Sequence, residues 1–175
     1  MSQPFSFAEI PMDILARYPQ HMNPLLPTYY RFTIARLPFV TYFCQSASIP
    51  NVTVTEVMIP TPFMAIKRPS KMDFDDLNIT FVVDENLGNW LEIFKWMRST
   101  VPVDGFAEIK PANTHTSTAN ILILNSAKQP KLNVTFTDVF PKTLSSLDFS
   151  SAMVDPEPFV ASVTFSFRSY DIEIL

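Results

Sequence analysis

Most of the chain after residue 28 alternates between apolar and polar positions with a period of two. The alternation is clearest at 77–84, 132–137 and 160–168, where aromatic, aliphatic and β-branched residues occupy every second position. This period is typical of strands that have one buried and one exposed face. Less regular runs bring the prediction to about eight strands, the additional ones being 30–35, 39–46, 52–59, 63–67 and 119–124.

One stretch, 84–99, has the period of a helix instead. Asp84 or Asn86 can cap its N-terminus, and Pro102 follows its end. A single helix among strands is typical of a helix that covers one open side of a barrel or sandwich. The apolar residues of this stretch form one stripe, predicted to pack on the core: Leu87, Trp90, Leu91, Phe94 and Met97.

The first 28 residues contain five of the chain's sixteen prolines, together with apolar residues such as Phe5 and Ile10. We interpret 1–28 as an N-terminal arm that lies on another surface, and 29–175 as one domain. The start of the chain lacks the basic and apolar regions of a signal peptide, and no window is apolar enough to span a membrane. With only two glycines, long proline-stiffened connections are expected rather than tight hairpins.

Charge is scarce in this chain. Charged residues make up 17% of the sequence, against about 25% in typical globular proteins. Either a large core or a surface covered by neighbouring subunits accounts for the deficit. The net charge of −4 argues against a nucleic-acid-binding patch.

Residues that would carry chemistry are isolated from one another. Cys44 lies in an apolar run, as expected of a buried small side chain. His21 and His115 have no Cys or His partners at the spacing of metal ligands. Neither glycine belongs to a phosphate-binding loop. The sequence therefore predicts no enzyme, no metal site and no cofactor.

The non-core faces of several predicted strands carry small, neutral, polar side chains. Ordinary exposed strands carry more Lys and Glu, partly to discourage edge pairing. Such a face suits a wall against another subunit or a channel, although strand propensity alone also favours threonine. The candidate lumen or subunit-facing residues are Asn133, Thr135, Thr137, Ser162, Thr164 and Ser166.

The charged residues cluster between two predicted strands, around Pro69. The cluster is interpreted as the end of a long hairpin or a protruding loop, which is either a solvated turn or a contact between stacked rings. Its members are Lys67, Arg68, Lys71, Asp73, Asp75 and Asp76.

A series of short motifs resembles the tail tube proteins of contractile-tailed phages. They are Phe43-Cys44-Gln45-Ser46, Ile49-Pro50, Val54, Pro60, Lys67, the run from Phe74 to Phe81, Asp84-Glu85, Phe94-x-Trp96, Val139-Phe140-Pro141-Lys142, Leu144, Leu147-Asp148, Val163-Thr164-Phe165 and Tyr170. The resemblance covers roughly 29–172. It implies a mainly β fold, a β-barrel of two packed antiparallel sheets with one flanking helix, here 85–98. Residues 53–76 would form a long hairpin and stacking loop.

The resemblance also implies a function. Six copies would close into a ring with an all-β inner wall, and stacked rings would form the inner tail tube through which DNA and the tape-measure protein pass. Sheath and baseplate proteins would be further partners, and the virion, assembled in the host cytoplasm, would be the location.

Two alternatives stay open. A related ring of the baseplate would initiate or adapt the tube. A monomeric binding β-sandwich is the other, and it should display clustered aromatic residues. Of the two tryptophans, Trp96 alone lies off the predicted core stripe.

Overall fold

The computed structural model describes residues 24–101, 115–151 and 157–175. Most of the predicted N-terminal arm lies outside the described residues. The elements in chain order are β1 (Tyr30–Ile34), α1 (Pro38–Phe43), β2 (Cys44–Ala47), β3 (Val52–Ile59), β4 (Ile66–Phe74), β5 (Leu77–Val82), α2 (Gly88–Thr100), β6 (Ser117–Leu124), β7 (Pro130–Leu144), β8 (Val160–Ser166) and β9 (Ser169–Ile174).

Two antiparallel sheets share the long strand β7. The first sheet has the order β1-β6-β7-β9, and the second has the order β7-β8-β5-β2. The predicted mainly β fold with two sheets is therefore confirmed. A single helix was predicted, but the described residues contain two.

The passage of β7 from one sheet to the other occurs near Asp138. This residue has a φ of 54°, in the left-handed region that Asp tolerates better than most side chains. Before it, Phe136 pairs with Tyr170 of β9, and after it, Pro141 pairs with Phe165 of β8. Strand β9 thus pairs with the first part of β7, and β8 pairs with the last part.

One hydrophobic core lies between the two sheets and is closed by both helices. The alternation predicted the buried residues of β5 and β8 correctly, because each strand has one buried face. In β7 it predicted Val134 and Phe136 but not Val139 and Pro141, which lie beyond the predicted strand. The largest fully buried side chains are Phe32, Phe81, Phe136, Phe165, Leu37, Leu77, Ile79 and Ile93.

Helix α1 replaces the first part of the strand that was predicted at 39–46. Pro38 occupies the first turn, where its fixed φ suits a helix and its missing N–H is not needed. The Thr41 hydroxyl donates to the Leu37 carbonyl (3.2 Å) and accepts from the Ile34 amide (3.3 Å). These bonds hold α1 against the end of β1, and strand pairing resumes at Cys44.

The buried face of helix α2 agrees only in part with the predicted one: Trp90 and Met97 are partly buried against the core as predicted. Its buried residues are Asn89, Ile93 and Trp96, whereas Phe94 is 43% exposed and Leu91 is 37% exposed. The predicted core stripe was therefore wrong for Leu91 and Phe94. The fully buried residues have the spacing i, i+4, i+7, and the first of them is the polar Asn89, which a periodicity of apolar residues does not include.

The start of α2 also differs from the prediction. The helix begins at Gly88, and Leu87 precedes it with a left-handed φ of 56° and no side-chain cap. The Leu87 amide donates to the carbonyl of Asp84 (2.8 Å). Asp84 therefore contributes a main-chain turn rather than the predicted side-chain cap.

Strands β3 and β4 form a separate two-stranded hairpin. The pairing runs from Val52↔Phe74 at the base to Ile59↔Ile66 near the turn. Phe74 attaches the base to the core region by ring contacts with Tyr170 (5.3 Å between centroids) and Phe167 (6.0 Å). Nearly all other hairpin side chains are exposed.

Candidate assembly interface

The charged cluster lies along the shaft of the hairpin and at its base, not at its tip. Lys67, Arg68, Lys71 and Asp73 belong to β4, and the remaining two acids lie in the short connection from β4 to β5. The prediction of a charged protruding loop was therefore wrong in its position. The run 63–67 was interpreted as a resumed strand, but β4 begins only at Ile66.

Local partners neutralise most of this charge. Lys67 forms an ion pair with Glu56 across the hairpin (2.7 Å), and Lys71 pairs with Asp73 on its own strand (3.0 Å). Asp76 pairs with Lys142 of β7 (2.7 Å). These pairs are exposed, so each contributes little to stability and serves mainly to fix the side chains.

The tip of the hairpin is apolar. Phe63 is 97% exposed and Met64 is 70% exposed. The Thr61 hydroxyl donates to the Met64 carbonyl and closes the turn. Exposed apolar groups continue down the shaft: Val54, Val57, Met58, Ile59, Ile66 and Met72. Exposed apolar groups in this number mark interaction sites. The sequence pattern did not indicate this surface, because apolar strand residues are expected to be buried.

The six candidate lumen residues do not form one surface. Asn133, Thr135 and Thr137 lie on the outer face of the first sheet. The other three lie on the outer face of the second sheet, on β8. Because the two sheets enclose one core, their outer faces point away from each other. One set at most can line a channel.

The outer face of the second sheet carries a patch of neutral polar side chains, here called the hydroxyl face, and the ion pair of Lys142 with Asp76 lies beside this patch. Strand register places Thr164 beside both Asn78 and Thr143, and Ser162 beside Thr80. The Thr164 hydroxyl donates to the Asn78 side-chain oxygen (2.9 Å). The face comprises Ser46, Asn78, Thr80, Thr143, Ser162 and Thr164.

The outer face of the first sheet is charged at both edges. Asn133 lies in a row that ends in Arg31 on β1 and Glu173 on β9. The neighbouring row contains Thr135 and ends in Asp171. The outer face of the first sheet therefore exposes both cationic and anionic side chains, whereas the six residues of the hydroxyl face are neutral.

The outward flank of α2 carries a partly exposed aromatic pair. The rings of Trp90 and Phe94 stack at 5.5 Å with an interplanar angle of 11°. The Trp90 indole donates to the Ser145 carbonyl (3.3 Å). Trp96, by contrast, is 2% exposed and donates to the His115 carbonyl (2.7 Å). It therefore belongs to the core, although the sequence pattern placed it outside the predicted core stripe.

The described residues give little support to a catalytic role. Burial raises the pKa of the Cys44 thiol, which disfavours the nucleophilic thiolate. Burial, with a contribution from Cys44, raises the pKa of Tyr30 to about 12. The described ranges contain no group of three His, Cys, Asp or Glu residues placed to hold a metal ion. In the same ranges, no helix has the length and hydrophobicity needed to cross a bilayer.

Comparison with known proteins agrees with this picture of an assembly subunit. A family model described as phage tail tube protein matches residues 31–173. The chain belongs to the phage tail tube protein family. The resemblance found in the sequence is therefore confirmed over nearly the whole chain.

Individual relatives of this tail tube family member include terminators. The chain is 23% identical, over 138 residues, to the tail tube terminator protein of Enterobacteria phage T4, which covers 76% of this chain and 78% of that protein. It is also similar in fold to a chain of the tube-terminating cap of the anti-feeding prophage, with a TM-score of 0.67, 15% identity and coverage of 93% and 99%.

Two structures of the PVC extracellular contractile injection system share the fold as well. One is the sheath/tube terminator, with a TM-score of 0.63, 15% identity and coverage of 87% and 99%. The other is the sheath–tube complex, with a TM-score of 0.60, 16% identity and coverage of 94% and 98%. The family and these relatives are structural parts of tails and injection systems rather than enzymes.

Proposed function

We propose that this protein forms the ring that terminates the tail tube of a contractile phage tail. Six copies close into a ring, the ring binds the end of the tube and stops its growth, and an open channel remains for DNA. The similarity to the T4 terminator and to the cap and terminator structures supports this role. We prefer the terminator role to the repeating tube subunit, which the resemblance in the sequence implied, and to the baseplate ring, which was its alternative.

The exposed hairpin carries the proposal. A subunit that grips the end of a tube needs a surface that reaches beyond its own core. The β3–β4 hairpin is attached through Phe74 at its base, and its tip exposes Phe63 and Met64. Apolar groups so far from the core contribute nothing to the fold, so a partner that buries them is expected.

The hydroxyl face is proposed as the wall of the channel. A phosphate backbone is held by Lys and Arg, and none of the six residues of this face is charged. Ser162, Thr164 and Ser166 would accordingly lie at or beside the lumen. Asn133, Thr135 and Thr137, on the opposite side of the core, would face away from it.

The proposed partners are the tube, the sheath and baseplate proteins and the tape-measure protein. The chain would act in the tail of the virion after assembly in the host cytoplasm.

Tube-length measurements test the proposal. Purified chain is added to polymerising tube protein, and tube lengths and numbers are scored by negative-stain electron microscopy. A terminator shortens tubes and shows a six-fold ring at one end. A repeating subunit forms tubes by itself, and a baseplate ring increases the number of tubes; either result would replace the proposal.

A matched pair of variants links the activity to the hairpin. Phe63→Ser should lose the shortening effect. Phe149→Ser removes another exposed aromatic side chain, 73% exposed in the β7–β8 connection, and should keep it.

A further inference from the structure

The two edges of the first sheet, β1 and β9, are not equally covered. At the β1 edge, the Ile34 amide donates to Thr41 of α1, and the Tyr30 hydroxyl donates to the Gln45 carbonyl of β2 (2.5 Å). Strand β9, the other edge of the first sheet, pairs with β7 alone among the described strands. Within the described residues, the β9 edge is therefore the open end of this sheet.

The register shows which main-chain groups face outward from β9. The Leu175 amide donates to the Lys131 carbonyl (2.9 Å), and Ile174 pairs with Leu132. Bonded and non-bonded pairs alternate in an antiparallel ladder. The N–H and C=O groups of Tyr170, Ile172 and Ile174 consequently point away from β7.

The side chains of this edge alternate as well. Ile172 and Ile174 are 55% and 81% exposed on one face, and the exposed acids Asp171 and Glu173 lie on the other. An exposed strand edge with apolar side chains is a template for pairing with another strand. Neither acid forms an ion pair within the described part of the chain.

The hairpin offers one protected and one unprotected edge. Strand β4 contains Pro69 and three cations, the residue types that block edge pairing. Strand β3 contains a single charge, Glu56, which Lys67 neutralises. Its Val52 and Val54 lie on one face, and Thr53 and Thr55 lie on the other.

We infer that the free edge of β9 pairs with β3 of a second copy of this chain, so that the hairpin extends the first sheet across the subunit boundary. The periodicities match, since the valines of β3 continue the face of Ile172 and Ile174. The threonines continue the acidic face, which also receives Arg68, the cross-strand partner of Val57. Arg68 on the hairpin is opposite in charge to Asp171 and Glu173 on β9, which form no ion pair within the described residues. This complementarity indicates that the strand pairing with β9 comes from a second copy of this chain.

The pairing rests on the ring of the proposed function and specifies how the ring closes. Each copy supplies one β9 edge and one β3 strand, so the contact is head-to-tail. A two-stranded hairpin is marginally stable alone, and joining a four-stranded sheet removes that weakness.

Disulfide trapping tests the pairing directly. In a Cys44→Ser background, a chain with Ile172→Cys is mixed with chains carrying Val52→Cys, Val54→Cys or Met58→Cys, and each mixture is oxidised. We expect at least one mixture to give a cross-linked dimer that neither chain gives alone. The matched control, Lys71→Cys on the far strand of the hairpin, should give none, because a disulfide needs Cβ atoms about 4 Å apart. No cross-link from β3, or an equal yield from Lys71→Cys, overturns the pairing.

Edge-blocking variants give an independent readout. Ile172→Pro removes an outward N–H and leaves the ladder to β7 intact, and Ile172→Lys places a charge on the edge. Light scattering should show monomers for both, with circular dichroism unchanged, and a surviving ring in both variants refutes the pairing. Tube shortening is scored separately: a chain that cross-links through β3 but does not shorten tubes keeps this pairing and refutes the terminator function.

Discussion

The side-chain amide of Asn89 donates a 2.7 Å hydrogen bond to the main-chain carbonyl of Val82 and so ties α2 to the end of β5. Its oxygen accepts from the amides of Asp84 (3.2 Å) and Trp90 (2.9 Å). Asn89 is completely buried, and these bonds satisfy the main-chain groups of the turn that precedes the helix.

Replacing Asn89 should destabilise the protein measurably. Asn89→Leu leaves two amides and one carbonyl without a partner in a buried site, and such losses cost roughly 1–3 kcal/mol. Urea unfolding followed by circular dichroism measures the change. The control, Asn86→Leu, alters an exposed residue of the same turn and should change the free energy of unfolding by less than about 0.5 kcal/mol. Equal effects of the two variants contradict the proposed tie.

Truncation of two aromatic residues of α2 should destabilise the protein to different extents. Trp96→Ala removes a buried ring that contacts Phe165 (6.0 Å) and should cost roughly 3–5 kcal/mol. Phe94→Ala removes a half-exposed ring and should cost well under half as much. Thermal unfolding of both variants measures the two losses. If the helix buried the face that the sequence periodicity indicated, Phe94→Ala would cost more than Trp96→Ala.

The strands were predictable where one face is buried and the other is exposed. In β5 and β8 the alternation follows burial residue by residue, because strand side chains have a strict period of two. The apolar run Phe39–Phe43 fails this test, since a short apolar run is ambiguous between helix and strand and Pro38 decides for the helix.

The interface was harder to predict than the core. The resemblance implied a hairpin at 53–76, but the contact between rings was assigned to its charged residues and not to the exposed Phe63. Sequence spacing also cannot tell which sheet a strand face belongs to, so residues of β7 and β8 that look alike were assigned to one surface. Burial of Asn89 was unpredictable, because its partners are main-chain groups that carry no sequence signal.

Glu92 should make stability depend on pH. Its Oε2 atom is buried without a hydrogen-bond partner in the described residues. Desolvation raises the pKa of this carboxyl, and the charge of Lys95 partly offsets the rise. The folded state therefore holds the proton more tightly than the unfolded state, and stability falls as the pH rises above the usual glutamate value of about 4.3.

Glu92→Gln should remove that loss. The variant is expected to be more stable than the parent chain at pH 7 and equal to it near pH 3, as measured by urea unfolding at both values. Glu85→Gln, an exposed change just before α2, provides the control and should leave the difference between the two pH values unaltered. A constant gap between Glu92→Gln and the parent at both pH values would falsify the assignment.

Introduced lysines can show which sheet's outer face lines the channel. Thr164 lies at the centre of the hydroxyl face, and Thr135 lies on the outer face of the other sheet. If the hydroxyl face lines the channel, six copies of Thr164→Lys place a ring of cations around the DNA and should slow ejection, more strongly at low salt because phosphate binding releases counterions. Thr135→Lys should leave the ejection rate unchanged.

Both substitutions are made at partly exposed positions, so assembled tails are expected from each, and electron microscopy checks this first. Ejection is then followed by dye binding to released DNA at two salt concentrations. Slower ejection with Thr135→Lys and normal ejection with Thr164→Lys would assign the channel to the first sheet. The acids of β9 would then lie in the lumen, where they would repel the phosphate backbone. Normal ejection with both variants would remove both faces from the channel and leave them to contacts between subunits.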